Sequence, residues 1–210
     1  LPANTTHLRR RPVQQRSAAR VERMLESCAT LIDEVGYDGV TTTLIAERAG
    51  VAVGSLYQFF PDKRAVVQAL TTRNLDKFMD MIGERLASAT LEHWWDAVDL
   101  VFDAYILMYR QVPGFTQIRF GDAVDLRLMD DQRDNNTVIA DRLAGVLADR
   151  FTLPPADLGL PISVSVEIAD GILNLAFRRK LFHEDVVIAE AKRVVRAYLS
   201  GHLDQDQPND

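Results

Sequence analysis

The sequence predicts an all-α protein of about nine helices, and three observations predict it. Apolar side chains recur at helical spacing along nearly the whole chain, sustained strand-type alternation is almost absent, and two short helical patterns meet at a glycine turn near Gly50. With 210 residues, 47% hydrophobic and 26% charged, the chain can bury one sizeable core and at most a small second domain. Its one cysteine, Cys28, excludes an internal disulfide framework and a cysteine-based zinc cluster. No uninterrupted apolar run approaches the ~18 residues that a membrane span needs. The first eleven residues carry charge with no apolar stretch behind them, so no secretory signal and no membrane partner are expected, and the localisation reads as cytoplasmic.

Taken in order, the first helix covers Gln15 to Val35, where Val21, Met24, Leu25, Cys28, Leu31, Ile32 and Val35 fall on one face. Gly36 and Gly39 end it. Any of Thr41, Thr42 and Thr43 can cap a second, short helix that runs through Arg48 and stops at Gly50. A third short helix runs from about Val53 to Phe60. Pro61 and Asp62 then stand where a helix begins, and Lys63 to Ser88 carries Val66, Val67, Leu70, Leu75, Phe78, Ile82 and Leu86 as a long fourth helix. The fifth, His93 to Val112, is apolar around most of its circumference, with Asp96, Asp99, Asp103 and Arg110 as a narrow polar line, so it is expected to be buried among others. Pro113 and Gly114 break it before a short piece from Phe115 to Phe120. An amphipathic segment follows from about Asp131 to Phe151, then a loop from Leu153 to Gly159, then two helices, Pro161 to Leu181 and Glu184 to Gly201.

The formal net charge of −6 would by itself argue against a nucleic-acid partner. It is unevenly spread. Through Arg73 there are 10 basic and 7 acidic residues, and beyond it 14 and 23. Arg9, Arg10, Arg11, Arg16, Arg20 and Arg23 precede or open the first helix, opposed only by Glu22. Such an arm reads equally as a phosphate contact or as a solvated terminus.

Two short helices joined by a tight glycine turn form a helix-turn-helix, in which the second helix can enter a DNA major groove. A plain helical hairpin has the same pattern. The run from Thr42 to Lys63, TTLIAERAGVAVGSLYQFFPDK, resembles the DNA-binding signature of the TetR family of transcriptional regulators, and the match extends over about Arg16 to Val67. The resemblance implies a homodimer that binds palindromic double-stranded operator DNA and is released by a small molecule, which the aromatic pocket candidates below would make largely apolar. It also implies that Thr42 and Thr43 touch phosphate, that Ala52, Val53, Gly54 and Ser55 begin the recognition helix and face base edges, that Tyr57 and Gln58 reach backbone or bases, and that Lys63 contacts phosphate. Leu56 and Phe60 are core. Leu44 and Val53 depart from the family pattern, where polar or basic residues are frequent. Direct readout therefore shifts toward methyl contacts with thymine and toward DNA shape.

The resulting organisation is an arm over 1–15, a DNA-binding domain over 16–70, a helical ligand-binding and dimerisation domain over 71–201, and an acidic tail over 202–210. In this family the last two helices form the dimer interface, and Val186, Val187, Ala189, Val194, Ala197 and Tyr198, with Ile162, Val166, Ala169, Ile172 and Leu173, are apolar or small enough for it. An intramolecular core would use the same residues. Candidate effector-pocket residues are Trp94, Phe102, Tyr105, Met108, Tyr109, Phe115 and Phe120, each of which simple core packing also explains. Ser163, Glu167, Asp170, Asn174 and Arg178 form one polar face, read as facing solvent or a partner subunit; bordering the cavity instead, Glu167 and Asp170 would favour a cationic ligand. A phosphate loop, a dinucleotide fingerprint and a nucleophile elbow are all absent from the sequence, and its four histidines are far apart. No enzyme activity, cofactor or metal is therefore expected. The alternatives are a DNA-binding protein without a ligand and, further off, a helical enzyme.

Overall fold

The computed structural model describes residues 15–118, 135–151, 155–179 and 182–204. All elements among them are helical: α1 (Gln15–Gly39), α2 (Thr42–Arg48), α3 (Val53–Phe59), α4 (Lys63–Ser88), α5 (Trp94–Gln111), α6 (Asn135–Phe151), α7 (Pro155–Asn174) and α8 (Glu184–Leu203), with a π-helical turn at Leu175–Arg179. Among the described residues eight α-helices thus stand, where about nine were expected over the whole chain. The difference lies at residues 113–118, which form consecutive turns, with the Gln117 and Ile118 amides both donating to the Gly114 carbonyl, at 3.1 and 3.0 Å. The basic arm before Gln15, Phe120 and residues 205–210 lie outside the described residues.

The chain divides into two compact units, Leu1–Phe78 with Met108–Leu126, and Met79–Leu107 with Arg127–Asp210. In the first unit α1 buries Val21, Met24, Leu25, Cys28, Leu31 and Ile32 on one face. Gly36, at φ 70°, breaks the helix before its last turn, and Val35 beside the break is 50% exposed rather than in the core. Ile45, Ala46, Ala49, Leu56, Phe59 and Phe60 complete this core from α2 and α3, and Val66, Val67 and Leu70 from α4. Asp62 caps α4 by accepting from the Ala65 amide at 2.9 Å. Arg73 reaches back to Glu22 on α1 at 2.6 Å.

A segment from far down the chain completes the unit. Phe115 is fully buried, with its ring edge-on to Tyr109 at 5.1 Å, and Ile118 belongs to the same cluster as α1–α4. Gly114, at φ 77°, donates its amide to Asp33 of α1 at 2.7 Å. A Cβ there would stand 3.0 Å from the Ala29 carbonyl oxygen.

Burial pushes the Cys28 thiol up from 9.0 to about 12, against smaller downward pulls from Arg73 and Lys63. The folded state therefore holds this proton more tightly than the unfolded state does. The associated stability is intact below about pH 9 and is lost as pH climbs toward about 12. Melting temperatures recorded from about pH 8 to about pH 11 should fall less steeply in Cys28→Ala than in the unaltered protein. Parallel curves would remove Cys28 as the source.

In the second unit α5 starts with a reciprocal cap: Asp96 accepts from the amides of His93 and Glu92 at 2.8 and 2.9 Å, which hold its carboxyl below the usual range. Lys192 of α8 bridges Asp99 and Asp103 of α5 at 2.8 and 2.7 Å. Burial lowers its pKa, but the hydrogen bonds to Asp103 and Asp99 outweigh that and leave it raised. Helix α7 begins at Pro155, so the stretch expected as a loop up to Gly159 is largely helical. A proline at the first helical position forfeits no needed donor, whereas Pro161, inside the helix, does. Helix α8 runs on to Leu203, and Asp204 caps it while accepting from the Trp94 indole N–H at 2.7 Å, so the acidic tail begins later than its sequence suggested.

Candidate nucleic-acid interface

Thr41 is the residue that caps α2, its hydroxyl accepting from the Leu44 amide at 3.2 Å. The helix ends in a reciprocal C-cap: the Gly50 amide donates to the Glu47 carbonyl at 3.1 Å and the Val51 amide to the Ala46 carbonyl at 3.0 Å. That arrangement needs a left-handed residue, and Gly50 has φ 65°. Ala52, extended, then opens α3. Buried Ile45, Ala46, Ala49 and Leu56 lock the two helices together, so the turn geometry follows from one glycine and a few apolar contacts.

The opposite surface carries several hydroxyls. Thr41, Thr43, Leu44, Glu47, Ala52, Gly54, Tyr57 and Gln58 are exposed, while Thr42, Val53 and Ser55 are partly buried. Leu44 and Tyr57 are large apolar side chains open to solvent, 37% and 42% exposed. The Thr42 and Tyr57 hydroxyls share a hydrogen bond of 2.9 Å across the two helices.

Among the described residues, Arg48 and Lys63 both make bonds within the protein. Arg48 grips Glu34 of α1 with both guanidinium nitrogens at 2.7 Å, which holds the Glu34 carboxyl below its ordinary range. Lys63 donates to the Tyr37 carbonyl at 2.9 Å and sits 4.3 Å over the Tyr37 ring. Lys63 therefore ties the end of α1 to the start of α4. Leu56 and Phe60 are buried, as expected of core positions in the motif.

The candidate effector-pocket residues fall in both units. Trp94, Phe102 and Tyr105 are buried in the second, and Met108, Tyr109 and Phe115 in the first. Tyr105 donates to Asp170 at 2.6 Å, and Asp170 is buried. The reading of Asp170 as solvent- or partner-facing is thus corrected: the buried phenol supplies the partner that lets a carboxylate leave water. Glu167 is exposed and accepts from buried Asn136 at 3.0 Å. Sequence reasoning missed this pairing because Tyr105 and Asp170 lie 65 residues apart. Among the described residues no group of three or more His, Cys, Asp or Glu could hold a metal ion.

Residues 25–70 match the bacterial regulatory proteins, tetR family, and residues 92–203 match the tetracyclin repressor-like, C-terminal domain. A TetR-family transcriptional regulator from Streptomyces coelicolor is similar over 88% of this chain and 99% of its own, with 38% identity and a TM-score of 0.74. The HTH-type transcriptional repressor KstR of Rhodococcus jostii is 36% identical over 58 residues, 28% of this chain and 27% of that protein. The HTH-type transcriptional regulator YvdT of Bacillus subtilis is 28% identical over 94 residues, 45% of this chain and 47% of that protein. The curated relatives are thus matched over about half of their length or less.

Proposed function

Since this chain belongs to the TetR family of bacterial transcriptional regulators, we propose that it is a repressor that binds a palindromic operator as a homodimer and is released by a small effector. The observation that carries the reading is the exposed α2–α3 face held by the Gly50 turn. Thr42, Thr43, Tyr57 and Gln58 are its backbone contacts, and Ala52, Val53, Gly54 and Ser55 approach base edges. Lys63 gives one ammonium proton to the Tyr37 carbonyl and keeps two for a phosphate oxygen. With Leu44 and Val53 on the surface, thymine methyls and groove shape carry more of the discrimination than hydrogen bonds do.

Dimerisation through α7 and α8 is supported by apolar surface left open in the single chain. Leu158–Phe177 is long and apolar enough by composition to cross a membrane, yet only 39% of it is buried. Leu160, Phe182 and Val186 are 75%, 63% and 65% exposed. A short link makes α7 and α8 antiparallel neighbours, which places Leu160 at the far end of the pair from Phe182 and Val186. A two-fold axis brings the two ends of one copy onto the opposite ends of the other. Ala189 and Ala197 are exposed as well, whereas Ile162, Leu173 and Val187 serve the core. The effector site is proposed in the helical second unit near Trp94, Phe102 and Tyr105.

Repeated selection from a random pool of DNA duplexes should enrich an inverted repeat whose half-sites lie about one helical turn apart. Gel shift on that duplex should then be released by some member of a panel of lipophilic compounds. Failure to enrich any sequence would overturn DNA recognition, and a shift that no compound releases would favour a ligand-independent DNA-binding protein.

A further inference from the structure

We propose that Thr42 and Tyr57 act as one neutral phosphate clamp, in which Thr42 is the positioning residue that fixes the Tyr57 hydroxyl. This rests on the DNA-binding reading above. Tyr57 is 42% exposed on α3 and Thr42 is partly buried at the start of α2, yet their hydroxyls meet at 2.9 Å. Each hydroxyl carries one proton, and either oxygen can be the donor in the shared bond. One proton is consumed between them. The other remains for a phosphate oxygen, whichever residue holds it, so the pair offers a single outward donor whose position both side chains define.

The pair stands beside two cations that are anchored within the protein. Arg48 is held by Glu34, and Lys63 by the Tyr37 carbonyl and ring. A solvent-exposed phenol is otherwise free to swing, and ordering it on DNA costs side-chain entropy. Thr42 removes that cost beforehand by holding the Tyr57 hydroxyl.

The test is a double-mutant cycle on the duplex selected by the unaltered protein, with Thr42→Val, Tyr57→Phe and the double variant. A hydrogen bond to a charged group predicts a loss of roughly tenfold in operator affinity for each single change. If the pair is one clamp, the double variant loses little more than either single. Thr42→Ser, which keeps the hydroxyl, should restore near-normal affinity. The dependence of affinity on salt should stay unchanged throughout, because a neutral donor displaces no counterion. Melting temperatures distinguish this from a folding defect. Additive losses, an unaffected Thr42→Val, or a reduced salt dependence would each overturn the clamp while leaving the DNA-binding reading standing. Absence of any selected duplex for the unaltered protein would overturn both.

Discussion

Replacing Val186 with aspartate should give a folded, helical monomer that no longer holds its operator. The side chain is 65% exposed in the single chain, so a carboxylate there costs the monomer little. In the proposed dimer the same carboxylate leaves water against an apolar partner surface. An unpaired buried charge costs about 3–5 kcal/mol, which is on the order of a hundredfold to a thousandfold or more in dimer dissociation. Operator affinity falls with it, because two half-sites read by one dimer become two independent weak events. Light scattering gives the mass and circular dichroism the fold. A dimer of unchanged affinity would move the interface elsewhere on the molecule.

Gly114→Ala should have the second large effect, and on the DNA-binding unit rather than the dimer. The backbone at φ 77° costs any L-residue with a Cβ about 1–2 kcal/mol. The added carbon also meets the Ala29 carbonyl oxygen at 3.0 Å and its Cα at 3.1 Å, both main-chain atoms that cannot rotate away. Relief means withdrawing the turn, which stretches the 2.7 Å bond to Asp33 and pulls Phe115 and Ile118 from the core. Thermal unfolding should show a fall of several degrees, with operator affinity reduced at temperatures where the unaltered protein binds fully. An unchanged melting temperature would mean that the segment tolerates displacement.

The α1 face from Val21 to Ile32 was legible because a helix buries every third or fourth residue, and all of those positions are buried. The turn at Gly50 was legible because a left-handed residue leaves a compositional mark. Neither signal reaches across distance. Ile118 joins the core of α1–α4, Asp33 binds Gly114, and Tyr105 binds Asp170, all over separations that no local pattern records. Lys63 shows a different limit: its bond to the Tyr37 carbonyl is to a backbone group, which has no sequence signature. Val35 fits the periodicity and is nonetheless half exposed, because the break at Gly36 turns the chain away one residue later.

Cys28 carries a practical consequence. The only sulfhydryl in the chain is fully enclosed and keeps its proton at any ordinary working pH. To a maleimide or a spin label the native protein is therefore blank. A cysteine engineered at an exposed position of α3 or α8 becomes the single reactive handle, so fluorophores for watching the operator-reading helix or the α8 surface can be attached without first stripping a native thiol.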